Sequence, residues 1–230
     1  MINANASDLK NDIQILVMKQ VPYGYISDEG KKTGVLYEIL DKLLKESNET
    51  TSIGIIPTKR LISTMLNKEK VCSIFVNSPE TSPFDIIEPI GFQITGGILP
   101  AAGIKLDDYS KLQGIVIAVP LGIIFDEKFH NDDSLKKVHP PHYINAVKML
   151  RFGRIDAIAG AIHVLKFIAK QEGISLSIFD KPLVMIQAEM YLVCTKSVKK
   201  SMRNKLQETL IRLKREGEIQ KILNSYFGED

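Results

Sequence analysis

Apolar positions along this chain recur with two alternating periods. Short apolar runs fall at 13–18 (IQILVM), 52–56 (SIGII), 71–76 (VCSIFV), 115–119 (IVIAV), 155–159 (IDAIA), 176–179 (LSIF) and 190–195 (MYLVCT). Runs of this length and composition predict buried strands. Between them apolar residues return every three or four positions, which predicts helices over 35–47, 58–68, about 122–130, 143–152, 162–172, 198–215 and 217–227. The clearest is the first, where Val35, Leu36, Ile39, Leu40, Leu43 and Leu44 share one face. Thr58 is placed to cap the second helix behind Pro57, and Gly153 and Gly173 stand where glycines end helices. Strand and helix alternating at this spacing imply βαβ units and mostly parallel sheets, an α/β fold.

Two segments break the rhythm: Gly91–Gly103 (GFQITGGILPAAG) and Asp180–Glu189 (DKPLVMIQAE). Between them lies a complete α/β unit. The predicted organisation is a discontinuous first lobe, 1–94 and 191–230, with a second lobe, 95–190, inserted through two chain crossings. The last two helices, with Met202, Leu206, Leu210, Leu213, Ile219, Ile222 and Tyr226 as their apolar stripe, are expected to return to the first lobe. Two lobes joined in this way predict hinge closure on a ligand held in a cleft between them.

Composition narrows the function. At 230 residues and 44% hydrophobic the chain can build real cores. No apolar run approaches the ~20 residues of a membrane helix. The first dozen residues, MINANASDLKND, contain no secretory apolar core, so an exported protein would be represented by its mature part with an added start. A net charge of +3 without a basic, aromatic-interleaved stripe does not point to nucleic acid. No nucleophile–base pair, phosphate loop or metal-ligand spacing nominates a reaction, and no cofactor is expected. His139-Pro-Pro-His142 reads as a solvated turn rather than a metal site. Cys72 and Cys194, far apart and each in a strand-like run, read first as two small buried hydrophobes; a disulfide is the alternative.

Three blocks then carry a resemblance. P-Y-x-Y-x-x-D-E-G-K-x-x-G-V-x-x-E-I (22–39), M-L-R-F-G-R-I-D-A-I (149–158) and L-K-R-E-G-E-I-Q-K-I-L-N-S-Y-F-G (213–228) resemble, in order and spacing, blocks of the extracytoplasmic solute-binding proteins of amino-acid ABC transporters, solute-binding protein family 3. The resemblance implies a two-lobed periplasmic-binding-protein type 2 fold, a small-molecule ligand, a membrane permease as partner, a periplasmic or other extracytoplasmic location and a monomer. The lobe pair also serves as the sensor domain of membrane receptors and kinases, and more rarely as a dehydratase-like enzyme. A chain ending soon after Phe227-Gly228 is what a free binding protein would show.

Departures from that pattern shape the expected site. Thr81 stands where the family places the arginine that pairs with a ligand α-carboxylate, and Ala161 where it places the aspartate for the α-amino group. Gly122-Ile123 replaces a Gly-Ser or Gly-Thr at a helix start. A threonine hydroxyl cannot replace a bidentate guanidinium, so ordinary α-amino acids are expected to bind poorly and a small polar, anionic solute to use other anchors. Gln20, Tyr23 and Tyr25 follow the first strand; one tyrosine is expected to face the cleft, Tyr23 by its match to the family's phenylalanine. Lys59 and Arg60 open the second helix, where acids are usual, and mark a relocated anion site unless they are solvated beside Glu80 or Asp85. Asn77, Ser78 and Thr81 form a polar turn that either cradles a ligand oxygen or is an ordinary Asx or Ser turn. Gly160, Ala161 and His163 lie at another strand-to-helix junction; His163 reads either as a ligand donor that titrates near neutral pH or, at least as readily, as a packed, satisfied histidine. Glu38 is assigned a surface or helix-cap role, and Asp156 a role in the fold.

Overall fold

The computed structural model describes residues 13–67, 69–78, 81–121 and 126–228. Strand β1 (Gln14–Met18) leads through a turn to a small hairpin, β2 (Tyr25–Ile26) and β3 (Lys32–Thr33), then to α1 (Val35–Glu46), β4 (Ile53–Ile56), α2 (Thr58–Leu66) and β5 (Val71–Val76). A long strand, β6 (Asp85–Pro100), opens a second series: β7 (Val116–Ala118), α3 (Glu127–Asn131), β8 (Lys136–Val138), α4 (Tyr143–Arg151), β9 (Ala157–Ala161) and α5 (Ile162–Gln171). The chain returns along β10 (Leu183–Cys194) and ends in α6 (Lys200–Arg215) and α7 (Glu218–Phe227). It divides into two compact units, Met1–Phe92 with Glu189–Asp230, and Gln93–Ala188, so β6 and β10 each contribute to both.

In the first unit the strand order is β4-β1-β5-β10. β1 is parallel to both neighbours, with Met18 opposite Ile56 and Gln14 opposite Val71, while β10 runs antiparallel to β5. Residues 15–18 are all buried, as a strand covered on both faces requires. The six apolar residues of α1 are buried against this sheet, each worth about 2 kcal/mol by its removal from water. At the far end of the chain Phe227 stacks on Phe92 with ring centroids 5.1 Å apart.

In the second unit β9 is parallel to β7 and antiparallel to β6, and β8 is parallel to β7. Alternate residues sort into two cores. Leu99, Ala118 and Ile158 pack with α4 and α5 through Ala146, Val147, Leu150 and Leu165. Ile98, Ile117, Ala157 and Ala159 pack with Leu106, Leu112 and Phe129 on the other face. Gly153 and Gly173, both at φ 65°, follow the last turns of α4 and α5 as expected. Asp156 holds the sheet together, accepting the Val116 N–H at 2.7 Å.

Several expectations are corrected. The glycine-rich stretch from Gly91 and the stretch before Glu189 are not breaks but parts of β6 and β10. Their composition reflects close backbone approach: a Cβ on Gly97 would collide with the Leu183 carbonyl oxygen. β8 was hidden by its lysines, and residues 176–178 form a 3-10 turn rather than a strand. Pro57, not Thr58, is the N-cap of α2; Thr58 is already helical. Cys72 and Cys194 are not separate hydrophobes but a disulfide, because the antiparallel register of β5 and β10 sets them directly opposite one another.

That cross-link closes a loop with a sequence separation of 122 residues. Replacing both cysteines (Cys72→Ala with Cys194→Ala) is expected to lower stability by about 2–4 kcal/mol in urea denaturation. An unchanged midpoint would show that the sheet needs no covalent tie.

Candidate ligand-binding site

The geometry of the first unit follows from its parallel strands. β1, β4 and β5 point the same way, so the segments after Met18, Ile56 and Val76 leave the sheet along one edge. The connection through α1 carries the chain to β4 on one side of β1, and that through α2 carries it back to β5 on the other. The loops diverge at β1, the kind of switch point where open α/β sheets hold ligands. Gln20, Tyr23, Tyr25, Lys59, Arg60, Asn77, Ser78 and Thr81 all belong to these three segments.

The turn after β1 is tied by its own backbone. The Tyr23 and Gly24 N–H groups donate to the Gln20 carbonyl at 2.7 and 3.0 Å. The first N–H groups of α1 cap the same turn, Val35 donating to Pro22 O at 2.8 Å and Leu36 to Tyr23 O at 3.0 Å. Gly34, at φ 122°, permits this: a Cβ there would strike the Tyr23 carbonyl. Tyr23 is only 4% exposed and belongs to the core, so the accessible phenol surface is that of Tyr25. Burial, then the charge of Glu38, raises the Tyr25 pKa.

At the start of α2 both Lys59 and Arg60 are exposed, and neither is in an ion pair among the described residues. No acid occupies that first turn, and Pro57 provides no side-chain cap. After β5, Asn77 is exposed and Ser78 half-buried. Thr81 is buried, and its hydroxyl is engaged within the turn: it accepts the Ser78 N–H at 2.8 Å and donates to Val76 O at 2.9 Å. It is a staple of the turn, not an open donor.

The second unit repeats the device. β7 is parallel to β8 and β9, and its connections also part to opposite sides. Gly122 and Ile123 lie outside the described residues. Gly160, at φ 151°, leaves room for the Tyr143 ring, which a Cβ would meet. The Tyr143 phenol oxygen takes the Ala161 N–H at 3.2 Å, and burial pushes its pKa up to about 12. His163 is half-buried, and burial pushes its pKa down to about 4. Its imidazole is therefore neutral at pH 7, which goes with the packed reading of this residue rather than with a donor that titrates near neutrality. His139 Nδ1 lies 3.1 Å from the Val119 carbonyl, and His142 is exposed. Among the described residues no cluster of three or more His, Cys, Asp or Glu could hold a metal ion.

Sequence reasoning missed Tyr143, because the strand before its helix was unread, and the contact between Glu38 and the C-terminal helix. Tyr226 of α7 donates its phenol proton to Glu38 Oε1 and accepts the Gly34 N–H at 3.0 Å. Glu38 is neither a cap nor a free surface acid.

This pair of α/β units is the fold of periplasmic solute-binding proteins. Among curated proteins, "Probable amino-acid-binding protein YxeM" of Bacillus subtilis (strain 168) is 22% identical over 99% of this chain and 89% of its own length. Among solved structures, the arginine-, lysine-, histidine-binding protein ArtJ from Geobacillus stearothermophilus matches with a TM-score of 0.69 at 18% identity, covering 95% of this chain and 96% of that one. A histidine kinase sensor domain described as similar to periplasmic binding proteins matches with a TM-score of 0.70 at 16% identity, covering 94% and 96%. No protein-family model matches the sequence.

The displaced His163 pKa predicts a pH effect. The folded value, about 4, lies below the ordinary 6.5, so as pH falls the unfolded chain takes the proton first. The contribution is complete above pH 6.5 and is lost as pH falls toward about 4. His163→Gln should flatten the stability curve across that window in urea titrations, whereas a curve parallel to wild type would exclude the effect.

Proposed function

We propose that this chain is an extracytoplasmic solute-binding protein. It captures a small polar solute of the amino-acid class and presents it to the membrane permease of an ABC-type importer. The supporting observation is the divergent edge of the first unit, where three loops leave adjacent parallel strands and carry polar side chains at a switch point. The fold and the likeness to YxeM of Bacillus subtilis, named as an amino-acid-binding protein, support the same reading. The Cys72–Cys194 disulfide fits an oxidising, extracytoplasmic compartment.

In this reading the solute carries a carboxylate, held by anchors unlike those of the family. Thr81 offers no guanidinium, and its hydroxyl is already engaged. Lys59 and Arg60 take its place: two exposed cations on the first turn of α2, where the helix dipole also attracts anions. Asn77 and Ser78 on the neighbouring loop supply uncharged hydrogen-bonding groups. No catalytic step is part of this reading.

A sensor role is the second reading, favoured by the match to the histidine kinase sensor domain. Both readings require solute binding, and uptake into vesicles bearing the candidate permease separates them.

A thermal-shift panel of amino acids and small carboxylates should raise the Tm of the protein with at least one solute, since a ligand that binds only the native state stabilises it. Silence across the whole panel would remove the basis of the proposal. With the strongest of those ligands, Lys59→Ala combined with Arg60→Ala should weaken binding about tenfold, roughly 1.4 kcal/mol, in calorimetric titration. The Tm of the free protein should stay unchanged, because both side chains are exposed. Equal affinity in the double variant would refute the relocated anchor.

A further inference from the structure

Among the described residues most acids of the first unit face a cation, and of the two half-buried ones that do not, Glu38 and Glu189, only Glu38 is held by two hydroxyls on one oxygen. Glu46 faces Arg212 and Lys42, Glu49 faces Lys205, Asp85 faces Arg203, Glu88 faces Lys214, and Glu218 faces Lys42 and Lys221. Glu38 is half-buried and has no cation among the described residues. Lys42 lies four residues further along α1, the natural helical partner, but its ammonium sits 3.3 Å from Glu218 and 3.5 Å from Glu46. Lys32 is turned to the Ile53 carbonyl at 2.6 Å.

The Glu38 carboxylate is nevertheless fixed in place. Tyr226 donates to Oε1, and the Thr33 hydroxyl donates to the same oxygen at 3.1 Å. Tyr226 Oη in turn lies 3.0 Å from both the Gly34 N–H and Thr33 Oγ1. Both donors converge on Oε1, and Oε2 accepts nothing from the described residues. Tyr25 faces Thr33 across the β2–β3 hairpin, is close enough to feel the Glu38 charge, and has no hydrogen bond on its phenol among the described residues. A held carboxylate with one open oxygen, no counter-ion and an adjacent aromatic ring has the chemistry of a cation acceptor.

We propose that Glu38 and Tyr25 form a subsite for an organic cation, a side-chain ammonium or guanidinium group of the solute as distinct from its α-amino group, with Tyr226 as the residue that positions Glu38. The proposal rests on the solute-binding reading and deepens it: the solute brings a cationic side chain besides its amino and carboxylate groups. Oε2 accepts from the cation while the Tyr25 ring or phenol covers it. Tyr226 touches no solute and acts by holding Oε1.

The test is calorimetric titration of the full chain with L-arginine, L-lysine, L-glutamine and agmatine, a guanidinium amine without a carboxylate. Glu38→Gln keeps an acceptor for Tyr226 and Thr33 and removes the charge. It should weaken cationic probes at least about tenfold and L-glutamine less than about threefold. Tyr25→Leu, which leaves the Tyr226 network alone, should weaken the same probes about threefold and serves if Glu38→Gln folds poorly. Tyr226→Phe should lower affinity for the cationic probes more than for L-glutamine, a selectivity that loss of stability alone would not produce. If agmatine binds through Glu38 and no amino acid binds, the subsite stands and the amino-acid reading fails. If amino acids bind equally to wild type and Glu38→Gln, the reading stands and the subsite is overturned. Wild-type protein that binds none of the cationic probes also overturns it.

Discussion

The pairing of β1 with a parallel strand on each side is the constraint from which the candidate site follows. With β4 on one edge and β5 on the other, the chain must leave the end of β1 in one direction and recross to the opposite side. No connection then lies over the end of β1, and the backbone groups there are satisfied by the turn itself. The hydrogen bonds from Tyr23 and Gly24 to Gln20, and from the head of α1 to Pro22 and Tyr23, do this. The result is a rigid rim built from backbone, on which side chains are free to specialise.

The two units use this device differently. In the first unit the elements that follow the parallel strands carry charge: Lys59 and Arg60 on the first turn of α2, and Glu38 on α1 beside the β2–β3 hairpin. At the end of β9 the described residues Tyr143, Gly160, Ala161 and His163 carry no charge. Gly160 has no side chain, the Tyr143 phenol is held far from ionisation by burial, and His163 is held neutral by the same cause.

Local pattern made much of the fold legible. α1 reads plainly because its six apolar residues repeat at helical spacing and all six are buried. β6 and β10 did not read, because glycine and proline usually punctuate a chain and here they allow two backbones to approach closely, as at Gly97 and Leu183. The disulfide was undecidable from composition, since it depends on a register that pairs residues 122 positions apart. The segments carrying the candidate site could be named because they follow strands, whereas their side-chain roles depend on tertiary contacts. Thr81 turns inward to staple its loop, Tyr23 is absorbed by the core, and Glu38 meets a tyrosine 188 residues away.

That last contact bears on how a half-buried acid can remain without a counter-ion. A carboxylate withdrawn from water costs free energy unless hydrogen bonds replace its hydration. Two hydroxyl donors on one oxygen supply part of that replacement and leave the other oxygen exposed to whatever approaches. Their rigidity matters as much as their number. Tyr226 is carried by a helix whose end is anchored by the stack of Phe227 on Phe92, and Thr33 is carried by a hairpin closed on α1 through Gly34. A cation reaching Oε2 would order little that is not already ordered, which favours affinity. Pairing Glu38 with a resident lysine would stabilise the free protein and remove that advantage. Other acids of the first unit also have no cation among the described residues, Glu189 among them, so it is the two-hydroxyl clamp on one oxygen, and not the missing pair alone, that sets Glu38 apart.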